Sequence, residues 1–192
     1  MKAKKLSRNY FKESWSFVKQ NRNYIYFSTL IFLVFAFIGY FISPPTALES
    51  QILKIIEELT NAFKGLNLVQ TISKIFFNNL SASFSALLLG IFFGIFPLVV
   101  AIINGYIVGY VANKAVSQEG ILILWRLLPH GIFELPAVLI SIGIGISLGT
   151  SLFRKVNFKE QFKSSMRAFL IIILPLLLIA AIIEGFLVFF LS

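Results

Sequence analysis

The sequence predicts an all-α polytopic transmembrane bundle of about five crossings, with amphipathic helices at the interfaces and a broken or half-inserted segment around 119–135. Three observations predict it. Apolar residues make up 58% of the 192, and 22 residues are Phe. Charged residues are only 13%, about half of what a soluble domain carries. Several apolar runs approach or exceed the ~18 residues that span a bilayer. The net charge of +9 is not a nucleic-acid signature. The positive charges flank apolar runs, where they set orientation and meet anionic headgroups. The absence of Cys excludes disulfides, thiolate metal sites and thiol catalysis.

Residues 1–23 carry Lys2, Lys4, Lys5, Arg8, Lys12, Lys19 and Arg22 against Glu13 alone. Leu6, Tyr10, Trp15 and Val18 recur at near-helical spacing. This is either a basic amphipathic helix on the inner leaflet or a solvated tail that fixes topology. The first span is 24–42. It is uncharged, and nineteen residues at ~1.5 Å rise reach ~28 Å, close to the hydrocarbon thickness. No small-x-small cleavage site follows it, so it reads as an anchor. The loop 43–79 holds an amphipathic stretch, with Leu48, Ile52, Ile55, Ile56, Leu59 and Phe63 on one helical face. That face would rest on lipid, on neighbouring spans or on a partner.

The second span is expected at 80–103, entered at Asn78 and Asn79, with Pro97 bending it. Gly90 and Gly94 are four apart, as are Gly105 and Gly109, and Gly145 and Gly149. Small residues at this spacing let another backbone approach closely. Asn104-Gly105 is expected to break the run, leaving 104–128 as a short or interrupted third span or a half-inserted helix. The fourth span covers 129–152, with regular helix from about Leu135, because Pro136 is best tolerated in a first turn. Pro129, Gly131 and Pro136 then mark a broken entry. The loop 153–167 carries Arg154, Lys155, Lys159, Lys163 and Arg167 against Glu160. The last span is 168–191. By the positive-inside rule this loop and the N-terminus are cytoplasmic and the C-terminus is extracytoplasmic.

Polar groups inside apolar sequence are costly, so they require a reason. His130, the only histidine, lies four residues before Glu134. Glu184, Asn104, Arg126 and Asn79 are the other polar candidates. Pairing Arg126 with Glu134 or Glu184 would lower the cost of burying either charge. Three readings stand. The cluster is a hydrogen-bonded latch between helices, a transport or proton pathway, or part of an intramembrane hydrolase. Chemistry disfavours the last. A zinc site needs three protein ligands and an open position, and only Glu134 and Glu184 remain to join one His. Neither His-Glu-x-x-His nor Gly-x-Ser-x-Gly is present. No catalytic residue, metal or cofactor is expected.

The stretch Leu128-Pro129-His130-Gly131-Ile132-Phe133-Glu134-Leu135-Pro136-Ala137 resembles the hallmark of the stage II sporulation protein M family. Asn78-Asn79, Gly90, Gly94, Asn104-Gly105 and Ile183-Glu184-Gly185-Phe186 agree with it, and the similarity runs from about Lys19 onward. The family comprises polytopic membrane proteins of bacteria and archaea. Its namesake resembles a scaffold that acts with two membrane-associated proteins in peptidoglycan remodelling, the hydrolytic activity belonging to the partners. The resemblance implies the architecture and a role for His130, Glu134 and Glu184, and no activity. The expected function is a non-enzymatic scaffold in the plasma membrane that recruits or positions envelope proteins, or further copies of itself. The alternative is a small transporter or channel lined by His130, Glu134 and Glu184.

Overall fold

The computed structural model describes the backbone of residues 2–154 and 156–191 and, of these, the side chains of all but 2–8, 59–60, 125–130 and 191. Among the described residues the secondary structure is helical throughout. Five helical stretches are long and apolar enough to cross a membrane: Arg22–Phe41, Leu68–Ile91, Ile95–Glu119, Gly131–Phe153 and Phe158–Phe190.

Helix α1 (Lys2–Gln20) joins α2 (Arg22–Phe41) at Asn21. Two prolines end the apolar run, because they cannot continue the ladder, and α3 (Thr46–Asn61) comes next. Helix α4 (Leu68–Leu88) starts at a reciprocal capping box. Gln70 N–H donates to the Asn67 side chain, and Asn67 N–H donates to the Gln70 side chain, each at 3.0 Å. Two donors that the helix start would otherwise leave unpaired are thereby satisfied. The second span therefore begins well before Leu80, and Asn78 and Asn79 lie inside it rather than at its entry.

The end of this span is also corrected. A 3₁₀ turn at Leu89–Ile91 closes α4, and the chain reverses through Phe93 (φ 56°) and Gly94 (φ 74°) into α5 (Ile95–Glu119). Gly94 has no Cβ to resist a left-handed φ. Gly90 and Gly94 thus belong to a reversal and not to one helix face. Pro97 sits in the first turn of α5, where a missing N–H costs nothing, so it opens a helix instead of bending one. Asn104-Gly105 breaks nothing, since the Asn104 amide donates to Val100 O at 2.8 Å along the same helix. Residues 95–119 are thus one full span, and 104–128 is not a unit.

The break lies at Gly120 (φ 80°), followed by a 3₁₀ turn at Ile121–Ile123. From there α6 (Leu124–Thr150) is continuous through Pro129, Gly131 and Pro136. The expected broken entry at 129–134 is therefore a helix. Each proline removes one ladder bond, whereas a break at membrane depth would leave several backbone groups unpaired in lipid. Helix α7 (Phe158–Ala168) starts at Asn157, whose side chain accepts from Lys159 N–H and Glu160 N–H. It runs through a π-turn at Phe169–Ile173 into α8 (Leu174–Leu191). Pro175 cannot donate to residue 171, and a local π-turn absorbs such a gap without ending the helix.

Packing pairs give the direction of every span. Gly105 faces Phe32 and Gly109 faces Ala36, so α2 and α5 run parallel. Ser28 Oγ donates to Leu139 O at 3.2 Å and Gly143 lies on Ile25, so α2 and α6 are antiparallel. Ser141 Oγ donates to Ser83 O at 2.6 Å and Gly145 lies on Ala86, so α4 and α6 are parallel. The Phe84 and Phe169 rings meet at 5.1 Å and Gly185 lies on Ile72, so α4 and α8 are antiparallel. Hence α2, α5 and α8 run one way and α4 and α6 the other: five alternating crossings. The core holds Ile142, Ile144, Leu148, Ile173 and Leu177, all fully buried. Large apolar side chains such as Phe37 and Phe77 point outward, as lipid-facing surfaces require.

Lipid tails are as apolar as the helices, so spans associate through close van der Waals contact rather than hydrophobic exclusion. A methyl added to Gly109 would strike the backbone of Ala36 and Tyr40. Gly109→Ala is expected to cost ~1–3 kcal/mol, the usual range for overpacking, read as a lowered unfolding midpoint in detergent. Gly131→Ala, whose added Cβ would meet only Leu135 Cδ1 at 3.8 Å, should leave stability unchanged or raise it by up to ~1 kcal/mol.

Candidate functional site

Two of the sequence-predicted polar residues come together. Glu134 on α6 and Glu184 on α8 lie within electrostatic reach of each other. Gly185, the next residue on α8, packs on Ile72 of α4. The carboxylates therefore sit where α4, α6 and α8 converge, toward the end of the bundle that holds α3. Both residues are partly buried. Among the described residues Glu184 Oε2 is buried without a hydrogen-bond partner. The side chains of His130, Arg126 and Pro129 lie outside the described residues, and with them the expected ion pair of Arg126 with Glu134 or Glu184.

Two predicted members stay apart. Asn104 is exposed and, among the described residues, bonds only its own helix. Asn79 accepts from the Asn78 amide at 3.4 Å, a local contact between neighbours. Of the predicted packing glycines, Gly105 and Gly109 form a face against α2, while Gly145 and Gly149 receive α4 and the 90–94 reversal. Gly39 against Tyr106 extends the first face.

The best-connected polar site was not among the sequence candidates. It sits at the opposite end, around Asn21 and Ser147, which are 6% and 0% exposed. Ser147 Oγ donates to Asn21 Oδ1. Gln161 Nε2 on α7 reaches Ser147 Oγ at 3.0 Å and Asn21 Oδ1 at 3.5 Å. Arg154 Nη2 donates to Ser147 O at 3.0 Å and to Ser147 Oγ at 3.2 Å, and its guanidinium lies 5.1 Å from the Tyr24 ring. Asn21 Nδ2 donates to Phe17 O at 2.8 Å, tying the end of α1 into the network. Nearby, Arg167 pairs with Glu13 and stacks over Tyr10, joining α7 to α1. Both amphipathic helices are thus clamped to each other and to the bundle. Asn21 reads in sequence as a polar residue before an apolar run, and nothing local links it to Ser147, 126 positions away.

A third cluster holds α3. Tyr110 is 1% exposed. Its hydroxyl donates to Glu49 Oε1 at 2.6 Å, and Lys114 Nζ reaches the same oxygen at 2.8 Å. The Lys114 ammonium and the Tyr110 hydroxyl hold the Glu49 carboxyl below the usual carboxylate range. Tyr106 Oη adds a bond to Ile42 O at 2.9 Å.

Charge separates the two ends. By chain position, 12 of the 17 basic residues and 2 of the 8 acidic ones belong to the end that holds α1, the 92–94 reversal and α7. The other end has 5 basic and 6 acidic residues. Five alternating apolar spans with charged surface helices at their ends define a polytopic integral membrane protein. Within that class the chain belongs to the family described as Stage II sporulation protein M, whose profile matches residues 28–188. Comparison with curated proteins and with solved structures returns no match.

The buried network predicts a measurable asymmetry. Asn21→Ala takes away the acceptor of the buried Ser147 hydroxyl proton and a partner of Gln161, and should cost ~1–3 kcal/mol, the penalty of an unsatisfied buried polar group. Asn104→Ala should stay within ~0.5 kcal/mol. Unfolding midpoints of the two variants in one detergent test this.

Proposed function

We propose that the protein is a non-enzymatic membrane scaffold that positions other cell-envelope proteins, with its basic end in the cytoplasm. The observation that carries this reading is the clamp at that end. Helices α1 and α7 are fixed to each other through Glu13 and Arg167 and to the bundle through Asn21, Ser147, Arg154 and Gln161. A rigid frame of five closely packed spans then carries a two-helix platform of fixed geometry. Holding surfaces in fixed relation is what a scaffold must do, and the family resemblance implies partners that carry the chemistry. The charge distribution supports the orientation through the positive-inside rule.

Orientation is tested with single cysteines, in a chain that has none of its own. Gln51→Cys on α3 should react with a membrane-impermeant maleimide in intact cells, and Lys163→Cys on α7 only after permeabilisation. The reverse pattern overturns the orientation.

One observation favours a second reading. Glu184 Oε2, which has no hydrogen-bond partner among the described residues and lies within electrostatic reach of Glu134, is the kind of intramembrane carboxylate found on solute and proton paths. Native-membrane purification in mild detergent separates the two. A stoichiometric envelope partner retained by both wild type and the Glu134→Gln, Glu184→Gln double variant supports the scaffold. The absence of any partner from a folded protein, with proteoliposome flux that the double variant abolishes, replaces it with the transporter.

A further inference from the structure

A cavity of about 440 Å³ opens at the basic end, lined by Trp15, Val18 and Lys19 of α1, Arg22, Ile25 and Tyr26 of α2, and Ile140 of α6. Its contents are ordered by depth. Lys19 and Arg22 lie at the junction of α1 and α2, where the first span begins. Ile140 is next to Leu139, whose carbonyl accepts from Ser28. At ~1.5 Å per residue that level is ~9 Å below Arg22 along α2. The cavity therefore has a cationic rim and an apolar floor. Trp15 is 44% exposed and Tyr26 67%, so the mouth is open and flanked by the two aromatic types that settle at headgroup level. The Lys19 ammonium already lies 5.9 Å from the Trp15 ring, held over the opening.

We infer that this cavity binds one anionic membrane lipid, its phosphate between Lys19 and Arg22 and the start of one acyl chain against Val18, Ile25 and Ile140. Charge complementarity selects the headgroup, because basic residues at a membrane surface attract anionic lipid. Depth selects a lipid over a free anion, since a soluble phosphate would leave the Val18, Ile25 and Ile140 walls without an occupant. Size selects a small molecule over a protein, the volume being that of a ligand pocket. The lipid would fill the gap between α1 and the first span and so add its contacts to those that already clamp α1 to the bundle. This goes beyond the scaffold reading and does not rest on it.

Trp15 is a built-in reporter. In a Trp125→Phe background it is the only tryptophan. The full-length protein is placed in nanodiscs containing a small, equal mole fraction of brominated phosphatidylglycerol or brominated phosphatidylcholine, and Trp15 quenching is read. The expected result is stronger quenching by phosphatidylglycerol, with the preference falling roughly fivefold per cation removed in Lys19→Gln and Arg22→Gln. Lys12→Gln with Lys163→Gln, cations outside the cavity, should keep the preference. Equal quenching by the two lipids in the wild type overturns the proposal, and that comparison needs no variant at the site to fold. Equal loss in the control variant overturns it too, because the attraction would then be general to the surface. Reversal of the quenching by inorganic phosphate alone would make the ligand a free anion and overturn the lipid assignment.

Discussion

The fold depends on backbone meeting backbone. In lipid there is no hydrophobic gain from pressing one apolar helix on another, so contact area must come from close approach. Glycine supplies it. Gly39, Gly105 and Gly109 let α2 and α5 lie against each other's main chain, and Gly90, Gly145 and Gly149 do the same for α4, the reversal and α6. Ser28, Ser83, Ser141 and Ser147, all fully buried, fill neighbouring positions with side chains scarcely larger. Every other feature hangs on this frame. The carboxylates on α6 and α8, the clamp at Asn21 and the cavity beside α1 exist only because the spans are held at these separations.

Composition carried the class of the protein without help from tertiary structure. Long uncharged runs in a chain with 13% charge have few solutions, and lipid admits only helices or closed barrels. The small-residue pairs were legible as contact points for the same reason. Boundaries were harder. Pro97 and Pro136 look alike in sequence, yet one opens α5 and the other lies inside α6. The difference arises just past Gly90, where the chain reverses within three residues, with Phe93 and Gly94 both at positive φ. Apolar residues on both sides hid it, since a turn inside the membrane-facing region need not carry the polar residues that mark turns in water. Asn67 and Gln70, by contrast, spelled a capping pair that a reading led by hydropathy passes over.

The polar sites divide the same way. Glu134 and Glu184 stand out against apolar surroundings, and they come within electrostatic reach of each other. Asn104 stands out equally and bonds its own helix. An isolated polar residue in an apolar run is visible to a sequence reading, but its partner is not. Asn21, Ser147 and Gln161 come from three separate regions of the chain, and each is ordinary where it stands. Only the antiparallel register of α2 and α6 brings the first two together, and that register is set by Gly143 on Ile25.

The short reversal at 92–94 bears on how the chain enters the membrane. No charged residue occurs between Lys74 and Lys114, so the second and third spans share a stretch with no topogenic signal of its own. Three residues are too few to form a loop that could be held back on one side while the next segment is threaded. A pair joined this closely is expected to enter the membrane as one hairpin, oriented by the charged segments on either side of it. Lengthening that reversal, or placing a lysine in it, would therefore alter biogenesis before it altered the finished fold.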